Sequence, residues 1–160
     1  MSGFCYHYNS NLFVPIADFL YAPGNYPTVI GAETDLININ ISEQYLQGNG
    51  TCLTGYISVN FAGSAGLKYV RMYLGSTKVL EYGQTSNNTY VFRFNILKID
   101  SSYTSFQYTV TPILISVYGN ETVYSLDLSD SGNLRITGSS DGIGSVSFRV
   151  GKISFISPEV

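Results

Sequence analysis

Charged side chains are scarce in this sequence. Eight Lys and Arg and eleven Asp and Glu make up 12% of 160 residues, about half the roughly 25% usual in a soluble domain. The cations are scattered singly and the net charge is -3, so no basic stripe exists to neutralise phosphates, and nucleic acid is not expected as a partner. Tryptophan is absent and histidine occurs once, as His7. A Ser-His-Asp or Cys-His arrangement would have to draw on that one residue in a proline-broken N-terminal stretch, and no catalytic residues are expected. Cysteine occurs twice, too few for a disulfide framework. Cys5 and Cys52 either form one disulfide between the N-terminal segment and the body or stand as two buried thiols. With His7 they amount to three metal ligands where structural zinc takes four, so neither a metal nor another cofactor is expected. No apolar run approaches the roughly 20 residues of a membrane helix. The opening MSGFCYHYNSNLFVPIADFLYAPG has no basic region and is interrupted by Pro15 and Asp18, so it reads as neither a signal peptide nor a membrane contact.

What is abundant is tyrosine, with 14 residues, and glycine, with 16, against a hydrophobic content of 44%. A chain of this length buries roughly 70% of its unfolded surface, enough for one domain with its own core. Apolar residues recur with period two along most of the chain, the pattern of half-buried strands. DLININIS places Ile37, Ile39 and Ile41 on one face and Leu36 on the other. GYISVNFAG sets Ile57, Val59 and Phe61 against Tyr56, Ser58 and Asn60. KYVRMYL sets Val70, Met72 and Leu74 against Tyr69, Arg71 and Tyr73, and Gly75-Ser76 returns the chain as a hairpin. TYVFRFNI aligns Tyr90, Phe92, Phe94 and Ile96. Pro112, which cannot donate to a ladder, marks an edge or a bulge.

Clusters of Gly, Asn, Ser and Asp punctuate these runs at short intervals, as reversals require. The expectation is one all-β domain over residues 1–160, an antiparallel β-sandwich of jelly-roll type with about eight to ten strands, in which residues 1–30 form an extended arm or edge segment. The closing stretch SVSFRVGKISFI loses step: Val146, Phe148 and Val150 share one parity, Ile153 and Phe155 the other. Gly151, lacking a Cβ, is where a bulge or corner would absorb the slip. That reading buries Val146, Phe148, Val150, Ile153 and Phe155 together and leaves Ser145, Ser147 and Arg149 outside.

The order GYISVNFAG, KYVRMYLGSTKVLEYG, TYVFRFNI and GIGSVSFRVGKISFI, over Thr54 to Ile156, resembles the compact jelly rolls of the tumour-necrosis-factor and complement-head type, modules also used as capsid, decoration and fibre-head proteins of viruses and bacteriophages. The resemblance implies a symmetric assembly, a trimer foremost, that uses sheet faces and edges for contact and has no catalytic machinery.

Other motifs reduce to turns. GSAG (Gly63 to Gly66) lacks the spacing of a nucleophile elbow, and DLSDSGN (Asp127 to Asn133) lacks the closing Glu of a calcium loop. Asn-x-Ser/Thr sequons stand at Asn40, Asn49, Asn87 and Asn120. The candidate interface is Tyr56, Tyr69, Arg71 and Tyr73, residue types that dominate contact hot spots. Two function classes follow. One is a non-enzymatic structural subunit of a virus particle, located in the virion and contacting its own copies and other virion proteins. The alternative is a carbohydrate-binding β-sandwich, in which tyrosine faces and amides take up glycans.

Overall fold

The computed structural model describes residues 13–19, 28–41, 51–63, 66–98, 104–112, 118–124, 132–141 and 144–156. All elements among them are strands: β1 (Phe13–Phe19), β2 (Thr28–Ile30), β3 (Thr34–Asn40), β4 (Cys52–Ala62), β5 (Lys68–Leu74), β6 (Thr77–Gln84), β7 (Asn88–Lys98), β8 (Thr104–Pro112), β9 (Tyr118–Tyr124), β10 (Asn133–Ser140) and β11 (Ser145–Ile156). The eleventh strand, beyond the expected range, is the three-residue β2. His7, the Asp127–Asp130 cluster and the sequon at Asn49 lie outside the described residues.

Two antiparallel sheets form a sandwich. The larger runs β1-β11-β4-β7-β8-β9, with β2 also paired to β11, and the smaller runs β3-β10-β5-β6. The chain passes repeatedly between sheets, from β3 to β4, β4 to β5, β6 to β7, β9 to β10 and β10 to β11, which is jelly-roll wiring. Period-two patterning explains the core directly. Ile57, Val59 and Phe61 from β4 and Phe92, Phe94 and Ile96 from β7 are at most 1% exposed, and they face Val70, Met72, Leu134 and Ile136 of the small sheet, each 0% to the same standard. Each such side chain contributes roughly 1.5–3 kcal/mol on burial. Phe61, Tyr82, Tyr90 and Phe92 meet edge-on or tilted at centroid distances of 5.2–6.2 Å, an arrangement rings prefer over face-to-face stacking.

Bulges account for three departures from strict alternation. In β3, Ile136 pairs with Ile37 and Thr137 with Asp35, so Leu36 is an extra residue and turns inward beside Ile37, at 6% and 5% exposure. In β6, Met72 pairs with Leu80 and Tyr73 with Lys78, and Val79 and Leu80 are both buried. In β11 the slip lies two residues earlier than Gly151. Phe148 pairs with Val59 and Val150 with Ser58, so Arg149 is the inserted residue. Val150 accordingly leaves the core row and is half-buried, while Val146, Phe148 and Ile153 remain buried as expected. Phe155's side chain lies outside the described set. Ser147, expected outside, is covered where β2 pairs alongside β11, and its hydroxyl shares a 3.0 Å hydrogen bond with Thr28 opposite it. Gly151 faces inward, where a Cβ would lie 2.9 Å from the Tyr56 carbonyl oxygen and 3.0 Å from Ile57. Its role is close approach within the core.

Pro112 ends β8 opposite Tyr90, beyond the β9 ladder, which stops at Val110. Proline therefore sits where no donor is needed on that side, and not at a bulge. Among the described residues β1 and β2 pair only with β11.

Candidate functional site

The outer face of the small sheet carries a polar lattice. It starts at the corner between β2 and β3, where Gly31 holds φ 82°, a conformation open to glycine at little cost. The corner is pinned to the end of β10: the Gly31 amide donates to Ser140 Oγ at 2.9 Å, the Ser140 amide donates to the Gly31 carbonyl at 2.8 Å, and Ser140 Oγ donates to the Gly144 carbonyl at 2.6 Å. Glu33 is thereby delivered over β5 and β10. Its Oε1 accepts from Tyr73 Oη at 2.8 Å and Thr137 Oγ1 at 2.7 Å, and its Oε2 accepts from Arg71 Nη1 at 3.1 Å.

Arg71 is the hub. Besides Glu33, Nη1 donates to Ser139 Oγ at 2.8 Å, and Nε donates to Glu81 Oε2 at 2.6 Å, an oxygen that also accepts from Lys78 Nζ at 2.8 Å. Its guanidinium lies 4.6 Å from the Tyr69 ring centroid, and Arg135 lies 4.6 Å from that of Tyr73, both within cation–π range. Tyr69 Cε1 would meet a Cβ on Gly83 at 2.8 Å, so the ring rests across a glycine of the neighbouring strand. Arg135 Nε approaches Asp35 at 3.6 Å, an ion pair without a hydrogen bond. The lattice thus ties the β2–β3 corner to β10, β5 and β6.

Electrostatics follow from these partners. Burial pushes the Glu33 carboxyl up, but the Thr137 and Tyr73 hydroxyls, Arg71 and Arg135 outweigh it and hold it below the ordinary carboxylate range. Glu81 is lowered by its bonds from Lys78 and Arg71. Tyr73 is raised by burial and by its bond to the Glu33 anion. Arg71 is raised, the attraction of Glu81 and Glu33 overcoming burial. Glu33 is thereby a weaker base and Tyr73 a weaker acid than the free groups, and the arrangement holds charge in place. Because both carboxylates are depressed, their contribution to stability is complete above the unfolded value near 4.3 and is lost as pH falls through the folded values. Glu33→Gln is therefore expected to flatten the acid limb of a pH series of thermal melts below about pH 4. An acid limb unchanged from the parent would contradict it.

Of the four expected interface residues, Tyr69, Arg71 and Tyr73 are brought together on this face. Tyr56 is not among them. β4 and β5 belong to different sheets, so consecutive strands with matching parity present these residues on opposite outer surfaces, and Tyr56 stands 40% exposed on the large sheet. Glu33, Glu81, Thr137 and Ser139 were not legible. A plain two-residue hairpin at Gly75-Ser76 would set Arg71 opposite Leu80, and the bulge at Val79 puts Glu81 there instead.

Cys52 is disulfide-bonded, which rules out the reading of it as a buried thiol, and no free cysteine occurs among the described residues. No group of three or more His, Cys, Asp or Glu able to hold a metal occurs among them either.

No protein-family model matches the sequence, and no curated protein matches it. Among solved structures the chain is similar to peanut lectin in complex with a nine-residue peptide, at 10% identity and TM-score 0.45, over 93% of this chain and 100% of that one. It is similar to an alginate lyase from Klebsiella pneumoniae at 8% identity and TM-score 0.34, over 67% of this chain and 60% of the lyase. It is similar to a chain in the structure of infectious bursal disease virus Gt strain at 17% identity and TM-score 0.32, over 91% of this chain but only 32% of that one. The chain is an all-β antiparallel sandwich on the strength of its own two sheets and their pairing.

Proposed function

We propose that this sandwich is a non-enzymatic structural subunit of a virus particle, a minor capsid, decoration or fibre-head protein that works through protein–protein contacts. The observation that carries the contact role is the lattice of Tyr69, Arg71, Tyr73 and Glu33. These side chains are already held by one another on one outer face, so little conformational entropy remains to be lost when a partner covers them, and Tyr and Arg are the types that anchor interfaces. The jelly-roll wiring and the tumour-necrosis-factor-like strand pattern support a symmetric assembly, with a trimer favoured. A disulfide at Cys52 suits an oxidising setting such as a virion surface.

Size-exclusion chromatography with light scattering tests the reading. The expected mass is three times 17.5 kDa, falling to that of a single chain in an Arg71→Glu, Tyr73→Ala variant that still melts cooperatively. A parent protein that is strictly monomeric and has no affinity for particles would overturn it. The second reading, a carbohydrate-binding module, draws on the other outer face, where the exposed Tyr56 offers a ring for a sugar to lie on.

A further inference from the structure

We propose that the outer face of the large sheet binds an acidic carbohydrate, a sugar ring bearing a carboxylate, with Tyr56 beneath the ring and Arg93 holding the acid. The proposal rests on the carbohydrate reading of Tyr56 and adds the charge of the ligand.

Three strands place these residues at one register. Tyr56 of β4 pairs with Lys152 of β11 on one side and with Arg93 of β7 on the other. Neighbouring strands lie roughly 4.8 Å apart, so Arg93 stands beside the tyrosine with an arm that can reach over its ring, while Lys152 on the other side is opposite Asp18 of β1. Lys152 and Arg93 are exposed, and Tyr56 is one of two large hydrophobic side chains left exposed among the described residues.

On the small sheet Arg71, Lys78 and Arg135 each stand within ion-pair distance of Glu33, Glu81 or Asp35. On the large sheet Arg93 enters no ion pair among the described residues. Its planar fork of donors suits a carboxylate that arrives with a ligand.

The backbone around Tyr56 favours a sugar over an acidic peptide. β4 is paired on both sides, to β11 and β7, along its length. An extended peptide binds a sheet by adding to a free edge, and β4 offers none. A sugar needs no main-chain ladder. Its ring covers the tyrosine, while its hydroxyls meet half-buried Thr54, Asn95 and Thr109 on the adjoining positions.

Isothermal titration of the full chain with sialyllactose, a galacturonic acid trisaccharide, lactose and a polyglutamate peptide tests this. An acidic sugar should bind at least about tenfold more tightly than lactose, a preference weakened by added salt and lost in Arg93→Gln. Tyr56→Ala should abolish binding of the acidic sugar while leaving the circular dichroism spectrum and melting temperature unchanged. If lactose binds as well as the acidic sugars and Tyr56→Ala removes both, the carbohydrate reading stands and the acidic preference is overturned. If no sugar binds, both fall. Binding of polyglutamate in place of sugar would overturn the proposal in favour of an acidic protein partner.

Discussion

Replacing Lys68 by methionine is expected to lower stability by about 2–4 kcal/mol, on the order of 5–15 °C in melting temperature for a domain of this size. Lys68 is 0% exposed, a placement lysine rarely takes unless its amine is partnered. Its Nζ donates to the Gly66 carbonyl at 3.1 Å and the Thr85 carbonyl at 3.2 Å, so one amine ties the β4–β5 connection to the β6–β7 connection. Its stem lies against Gly144, just ahead of β11, where a Cβ would come 3.0 Å from Lys68 Cδ. Methionine keeps most of that packing and removes the donor, leaving the Gly66 and Thr85 carbonyls without a charged partner. The cost then separates the interactions of the amine from the volume of the side chain. Lys68→Ala should cost about 1 kcal/mol more, because it also opens a cavity. Denaturant titrations of both variants check this, and a methionine variant as stable as the parent would show that the amine contributes nothing net.

Reduction of the disulfide at Cys52 is expected to cost about 2–4 kcal/mol, the range typical of a native cross-link. Cys52 opens β4 at 2% exposure, paired to Leu97 on one side and Ile156 on the other. The cross-link therefore anchors at the central pair of the large sheet, and its loss should be felt as global stability and not as local fraying. The parent should melt at a clearly lower temperature in dithiothreitol, whereas Cys52→Ser should melt at the lower temperature with or without reductant. A parent indifferent to reductant would contradict the expectation.

How far residue pattern reached is visible in β4, β5 and β7. The inward rows Ile57–Phe61, Val70–Leu74 and Tyr90–Ile96 could be read directly, because a strand with one face on the core must alternate and a one-residue error would turn every side chain outward. The hairpin at Gly75-Ser76 was equally plain, since Gly75 takes φ 56°, which most other residues avoid. Leu36, Val79 and Arg149 were misread or unplaced for one shared reason. Each is the extra residue of a bulge, and a bulge is defined by the partner strand it opposes, about which local alternation carries no information. The Arg71–Glu81 bond was hidden by the same effect, and Glu33 by distance along the chain.

By itself, then, the order of amino acids determined an all-β chain, the composition of most of its core rows and the scarcity of charge that leaves tyrosine prominent on its surfaces. Those properties follow from local periodicity and composition. Only the tertiary structure decided which strands share a sheet. That assignment sent Tyr56 to one outer face and Tyr69, Arg71 and Tyr73 to the other, and it brought Glu33 onto Arg71 across 38 positions. Sheet membership depends on hydrogen bonds between segments remote in sequence and on the closing of two apolar faces over one core, terms that no short window of residues contains.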